Sequence, residues 1–311
     1  MLEGVLSLLA SLVTDYTVRN VALGSAVLGV AGGVLGTFAV LRRQGLLGDA
    51  LAHATLPGVC VAFILSGARV PAVLLAGAAV SAALGALAIS AIVANTRVKY
   101  DAALGIILSV FFGAGAVLIT YIAGSGDAAQ SGLDRFIFGQ ASAIVAGDVI
   151  ATGLLALAAL AIVAVFFKEF KLLSFDPEFA AGIGLPVRGL DLLLTSLVVV
   201  AVIIGIGTVG VVLMAAMLIT PAAAARQWTD RLGAMAIISG AFGAASGVAG
   251  ALFSATGEGL PTGPLIVLSA TAILLFSLAL GSRRGILWSR LRARRNRRNH
   301  REALAGAGEG S

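Results

Sequence analysis

From Asn20 to Leu41 the chain carries no charged residue, and comparable apolar runs follow one another as far as Gly281. Runs of this kind leave few folds open. A helix rises about 1.5 Å per residue, so about 20 residues cross a hydrocarbon core about 30 Å thick. Inside lipid every backbone N–H and C=O must be satisfied internally, which restricts spanning structures to helices and closed barrels. A barrel would alternate apolar and polar residues, whereas these runs are apolar without interruption. The fold class is therefore all-α, a polytopic transmembrane helical bundle of about eight or nine spans. With 59% hydrophobic and 12% charged residues, nothing remains from which to build a separate soluble domain.

The expected spans are Asn20–Leu41, Ala50–Gly67, Val70–Asn95, Asp101–Ala123, Ile144–Phe167, Gly189–Gly207, Val209–Ala225, Leu232–Phe253 and Thr262–Gly281. The basic residues Arg42/Arg43, Arg97/Lys99, Lys168/Lys171/Arg188, Arg226/Arg231 and the Arg-rich tail all follow odd-numbered spans. Since cytoplasmic loops carry the excess of Lys and Arg, those loops are expected inside, with the N-terminus outside and the C-terminus cytoplasmic. Three regions result: an interfacial N-terminal segment 1–19, a transmembrane domain 20–282 and a basic cytoplasmic tail 283–311. The first segment carries Glu3 and lacks a basic start, so it reads as retained rather than as a secretory signal. The tail holds nine Arg from Arg283 to Arg301, which points to an anionic lipid surface and not to nucleic acid.

Arg188 and Arg226 flank a stretch long enough for two short crossings, closed by a turn near Gly205, Gly207 and Gly210. A re-entrant arrangement is the other option. The Gly-rich runs Gly29–Gly36 and Gly240–Gly250 lack a strand-turn-helix setting, so they read as close helix packing rather than a nucleotide fingerprint.

Two stretches bear chemistry. Asp49 and His53 stand four residues apart at the start of the second span. An Asp near the bilayer centre costs roughly 2.5–3.5 kcal/mol on insertion scales, so the pair needs a use. Helical spacing places both on one face, where carboxylate and imidazole suit Mn²⁺, Zn²⁺ or Fe²⁺. The alternative is a helix cap and a packing histidine. Two ligands hold a cation poorly, and a two-fold homodimer would bring four. Cys60, the only cysteine, reads as core. The second stretch is Lys168–Val187, the longest polar interruption on the expected cytoplasmic side. Asp176 as cap, Pro177 at the first helical position and Glu178 in the first turn start a short helix, and Gly182 or Gly184 with Pro186 stops it. It is either a connecting loop or a docking element for a cytoplasmic partner.

The blocks LRRQGLLGDALAHATLPG (41–58), DPEFAAGIGLP (176–186), VGVVLMAAMLITPAAAAR (209–226) and LPTGPLIVLSA (260–270) occur in that order and cover nearly the whole chain. Together they resemble the manganese/zinc/iron permease family of ATP-binding-cassette importers. The resemblance implies a type II importer-like permease, working as a homodimer. It would receive a divalent metal from an extracytoplasmic metal-binding protein and be driven by cytoplasmic ATPase subunits that use the ATP. It further implies that Asp49 and His53 are metal ligands. By the same resemblance Asp176, Pro177, Glu178, Phe179, Gly184, Leu185 and Pro186 belong to the helix that couples to the ATPase. No permanently bound cofactor is expected. Independently, none of the three lysines follows a glycine, so the chain has no P-loop and is expected not to be an enzyme.

A secondary metal-ion transporter without an ATPase partner would also place an Asp–His pair in the membrane. Tyr100-Asp101 and Gly124–Asp127 match intramembrane aspartyl protease signatures. Their aspartates, however, flank opposite ends of one span, about 39 Å apart at about 1.5 Å per residue, and a proton-sharing dyad needs contact.

Overall fold

The computed structural model describes residues 15–67, 70–124, 144–207, 209–257, 260–283 and 285. Among them there is no strand. In chain order the helices are α1 (Tyr16–Leu41), α2 (Leu47–Ser66), α3 (Pro71–Asn95), α4 (Tyr100–Gly124), α5 (Ala146–Val165), α6 (Phe167–Phe175), α7 (Pro177–Gly182), α8 (Val187–Ile206), α9 (Val211–Arg226), α10 (Leu232–Ser254) and α11 (Thr262–Leu280). Eight of them, α1 to α5, α8, α10 and α11, are long and apolar enough to cross a membrane.

The first span starts earlier than expected. Asp15 Oδ1 accepts the backbone N–H groups of Thr17 at 2.8 Å and Val18 at 3.2 Å, so the helix begins at Tyr16 and takes up residues expected to be interfacial. A cap satisfies orphan donors of the first turn, and here it outweighs the polar character of Thr17, Arg19 and Asn20. The rest of the expected N-terminal segment, the tail beyond residue 285 and Asp127 lie outside the described residues.

Glycine sets the central packing. A Cβ on Gly29 would overlap the Gly243 carbonyl, and one on Gly33 the Ser239 carbonyl, so α1 and α10 meet backbone to backbone. Ser239 Oγ, fully buried, donates to Gly33 O across this seam at 2.7 Å. Lipid tails are as apolar as leucine, so close van der Waals approach and such interhelical hydrogen bonds are what hold helices together in a bilayer. Gly58 of α2 and Gly77 of α3 make a second seam of the same kind.

The seventh expected span is α9, with 16 residues. At about 1.5 Å each it reaches about 24 Å, short of a full hydrocarbon core. It is sheathed by α1, α2, α10 and α11, and Met214, Met217 and Leu218 are fully buried. Of the three glycines expected to turn the chain before it, only Gly210 is left-handed, at φ 86°. That conformation is free only for glycine.

The basic loops gather at one end of the bundle. Arg42 after α1 is ion-paired with Asp191 of α8, and the Arg283 amide, after α11, donates to Gln227 O after α9 at 3.1 Å. Val40 and Leu41 of α1 pack against the cluster of Ala222 and Ala225, which sets the ends of α1 and α9 side by side.

Candidate functional site

Helix α2 runs unbroken from Leu47 to Ser66 through Pro57. Its Leu47, Ala50, Leu51, Ala54 and Leu56 are buried, and α3 and α4 pack against it. Along its first three turns one stripe stays open, Leu46, Asp49, His53 and Pro57, at the three- and four-residue intervals of one helical face; it continues through Val61 and Ile64, where the end of the helix is open on other sides as well. The pair expected to ligate metal lies on that stripe.

His53 Nε2 is 3.4 Å from Asp49 Oδ1, with the two side chains 15% and 33% exposed. Two donors each about 2.1 Å from one ion lie roughly 3.0–3.4 Å apart for octahedral to tetrahedral angles, so the observed gap suits a shared cation. Asp49 makes no capping hydrogen bond. Leu46 takes the N-cap position without one, and Asp49 sits in the first turn, where the helix dipole favours its charge. The cap reading of Asp49 therefore fails on geometry. The His53 ring stands edge-on to Phe112 of α4, centroids 5.1 Å apart at 84°. Its Nδ1 is buried and has no hydrogen-bond partner among the described residues, leaving Nε2, on the carboxylate side, as the open nitrogen. Among the described residues no group of three or more His, Cys, Asp or Glu side chains is placed to hold a metal ion. Phe112 was not visible as a neighbour in the sequence, since nothing local links α4 to α2. Cys60 is buried with Val59, Leu74, Ala78 and Ile122, as core.

The second site element is built as its residues indicate. Asp176 Oδ1 accepts the Phe179 N–H at 2.9 Å, Pro177 opens α7 and Glu178 lies in its first turn. Of the two candidate stops, Gly184 is the left-handed one, at φ 88°. There the Leu185 N–H returns to Ala180 O at 3.1 Å, and Pro186 leads into α8. Ala180 is buried, while Phe175, Phe179 and Ile183 are 55%, 56% and 56% exposed at four-residue spacing. Phe175 ends α6, Phe179 stands in α7 and Ile183 is its C-cap, with the backbone non-helical at Asp176 between the first two. Behind α7 an open cleft of about 680 Å³ is lined by Arg42, Tyr100, Pro177, Arg188 and Asp191 among others. The Arg42–Asp191 pair on its wall fixes the start of α8, and hence α7, to the end of α1.

A bundle of membrane-crossing helices, with an ionisable pair on an uncovered face and a short apolar helix at the basic end, is a multi-pass membrane permease. Residues 14–281 match the model of the ABC 3 transport family, and the chain belongs to that family. It is 51% identical over 278 residues to the manganese transport system membrane protein MntC of Bacillus subtilis, covering 89% of this chain and 64% of that protein. With the zinc transport system membrane protein TroC of Treponema pallidum it shares 45% identity over 287 residues, 92% of this chain and 96% of that one. Among solved structures it resembles PsaBC from Streptococcus pneumoniae, determined in complex with Fab. The TM-score is 0.77 and the identity 33%, over 90% of this chain and 97% of that one.

Proposed function

We propose that this chain is the permease subunit of an ATP-binding-cassette importer for a divalent transition metal, Mn²⁺, Zn²⁺ or Fe²⁺, working as a homodimer. The observation that carries the reading is the uncovered stripe of α2. It exposes an Asp–His pair with the spacing of two donors on one ion. A two-fold axis along this stripe brings two carboxylates and two imidazoles together, enough for a transition metal. The names of the relatives, a manganese and a zinc transport protein, support the cargo class.

The α7 segment, Asp176 to Pro186, is the contact for a cytoplasmic ATPase that uses the ATP. The exposed Phe175, Phe179 and Ile183 around this short helix support this, because a group of uncovered apolar side chains outside the spans calls for a partner. The cargo arrives from an extracytoplasmic metal-binding protein on the opposite face. The gathered basic loops support a cytoplasmic-membrane orientation with the C-terminus inside. The tail 283–311 serves orientation and lipid contact.

Reconstitution with the ATPase in vesicles tests the whole reading. ATP-dependent accumulation of Mn²⁺ or Zn²⁺ is expected. Accumulation driven by an ion gradient without any ATPase would make the protein a secondary transporter instead.

A further inference from the structure

At the end of the bundle where the basic loops gather, α10 and α11 part to leave an open cleft of about 700 Å³. Ile238, Phe242 and Ala245 of α10 form one wall and Ala272, Ile273 and Phe276 of α11 the other, and Trp228, from the turn after α9, lines its end. The indole lies over Phe276, centroids 6.4 Å apart and planes at 23°. Its N–H, the one polar group this lining contributes from a side chain, is already used: it donates to the buried Ser277 Oγ at 3.0 Å. The cleft therefore offers hydrocarbon contact and no hydrogen bond, and an aromatic ring at its end has the amphipathic character of the residues that mark a membrane–water boundary.

The mouth is cationic. Trp228 lies between Arg226 and Arg231 in the chain, and the first residues after α11 are tied to the same turn. Ser282 Oγ donates to Trp228 O at 3.3 Å, and the Arg283 amide to Gln227 O at 3.1 Å. Among the described residues Arg226, Arg231 and Arg283 thus stand at this turn with the carboxylate of Asp230, which lies 3.5 Å from Arg226 Nη1. Arg231 and Arg283 are exposed. An apolar cleft open to the bilayer with a surplus of guanidinium at its head matches one class of molecule: an acyl chain carrying a phosphate.

We propose that the α10–α11 cleft is a binding site for an anionic phospholipid of the bilayer, the acyl chain lying along Phe242 and Phe276 and the phosphate meeting Arg231 and Arg283. Basic pockets between helices at the cytoplasmic side recognise lipid headgroups by this combination. The bound lipid would fasten the α9–α10 turn to the start of the tail. Metal transport makes no use of these residues, so the site stands apart from the Asp49–His53 pair and from α7.

The test is native mass spectrometry of the full chain released from nanodiscs of equal phosphatidylglycerol and phosphatidylcholine. Wild type is expected to retain phosphatidylglycerol in preference. An arginine near a membrane surface contributes a factor of about five toward anionic lipid, so Arg231→Gln with Arg283→Gln should lower that preference roughly twentyfold or more. Ala245→Phe with Ala272→Phe fills the cleft and should remove the retained lipid of both kinds. The arginine variant changes only exposed side chains, so it reads out even if the filled variant misfolds. The proposal is overturned if the arginine variant keeps the wild-type lipid ratio, or if the filled variant keeps its phosphatidylglycerol. It is equally overturned if filling changes the oligomeric state and leaves the lipid count alone, which would make the cleft a contact between copies of the chain.

Discussion

His53 holds its Nε2 3.4 Å from Oδ1 of Asp49, on a face of α2 that the described chain leaves open. Neither residue holds the start of α2 through a cap: its N-cap is Leu46, with no side-chain hydrogen bond, and the imidazole meets α4 at Phe112. Removing a donor should therefore cost transport far more than folding. Asp49→Asn and His53→Ala are each expected to lower Mn²⁺ or Zn²⁺ uptake by at least roughly tenfold, with unchanged amounts of protein in the membrane. Wild-type uptake in both variants would show that the cation passes elsewhere.

The Arg42–Asp191 ion pair joins the end of α1 to α8, with side chains 14% and 28% exposed. Partly buried pairs of this kind lie between the small values of surface bridges and the several kcal/mol lost when a buried charge is stranded. Arg42→Gln and Asp191→Asn should each destabilise by about 1–2 kcal/mol, and the double variant by less than the sum of the two. Thermal unfolding of the detergent-solubilised protein measures the cycle. Strict additivity would mean that the two side chains do not interact.

Glycines that look alike in the sequence should answer very differently to a methyl group. At Gly243 a Cβ would overlap the backbone of Gly29, whereas at Gly153 of α5 it meets nothing within 4 Å. Gly243→Ala is expected to cost on the order of 3 kcal/mol or more, because the obstacle is main chain and cannot swing aside. Gly153→Ala should be neutral or stabilising by up to about 1 kcal/mol through helix entropy. Equal melting temperatures for the two variants would contradict the α1–α10 seam.

Replacing Glu178 and Phe179 together should uncouple the protein from its ATPase. Both are exposed, and Phe179 stands in the chain between the exposed Phe175 and Ile183. Copurification of the ATPase and ATP-driven uptake are expected to drop together, while metal binding and membrane insertion stay as in wild type. Normal copurification in this double variant would return α7 to the status of a connecting loop.

Truncation after Arg284 should leave both insertion and transport intact, since it spares the turn that Arg283 joins and removes an Arg-rich stretch compositionally unlike the spans. A correctly inserted truncation that cannot transport would give the tail a direct part in uptake.

The sequence by itself determined that the chain is a bundle of membrane-length helices and placed most of their ends to within two residues, because bilayer thickness sets the length of an apolar run. Thr262, Leu232 and Asn95 are helix ends in both the expectation and the structure. The α7 turn was legible for a local reason: cap, proline and acid act within a few residues of one another, and so does a left-handed glycine. The same local logic misplaced the start of α2, where Gly48 and Asp49 look like a boundary and are in fact the first turn of the helix. Only the tertiary structure decided which face of each helix is covered. In a soluble protein the polar face announces the outside, but in lipid the exterior is as apolar as the core, so composition cannot separate Ser239 at the seam from Ile237, 75% exposed, two residues before it. The Gly29–Gly243 contact, the Arg42–Asp191 pair and the open stripe of α2 all arise between helices distant in the chain. They follow from how close two backbones can approach, which no single helix encodes.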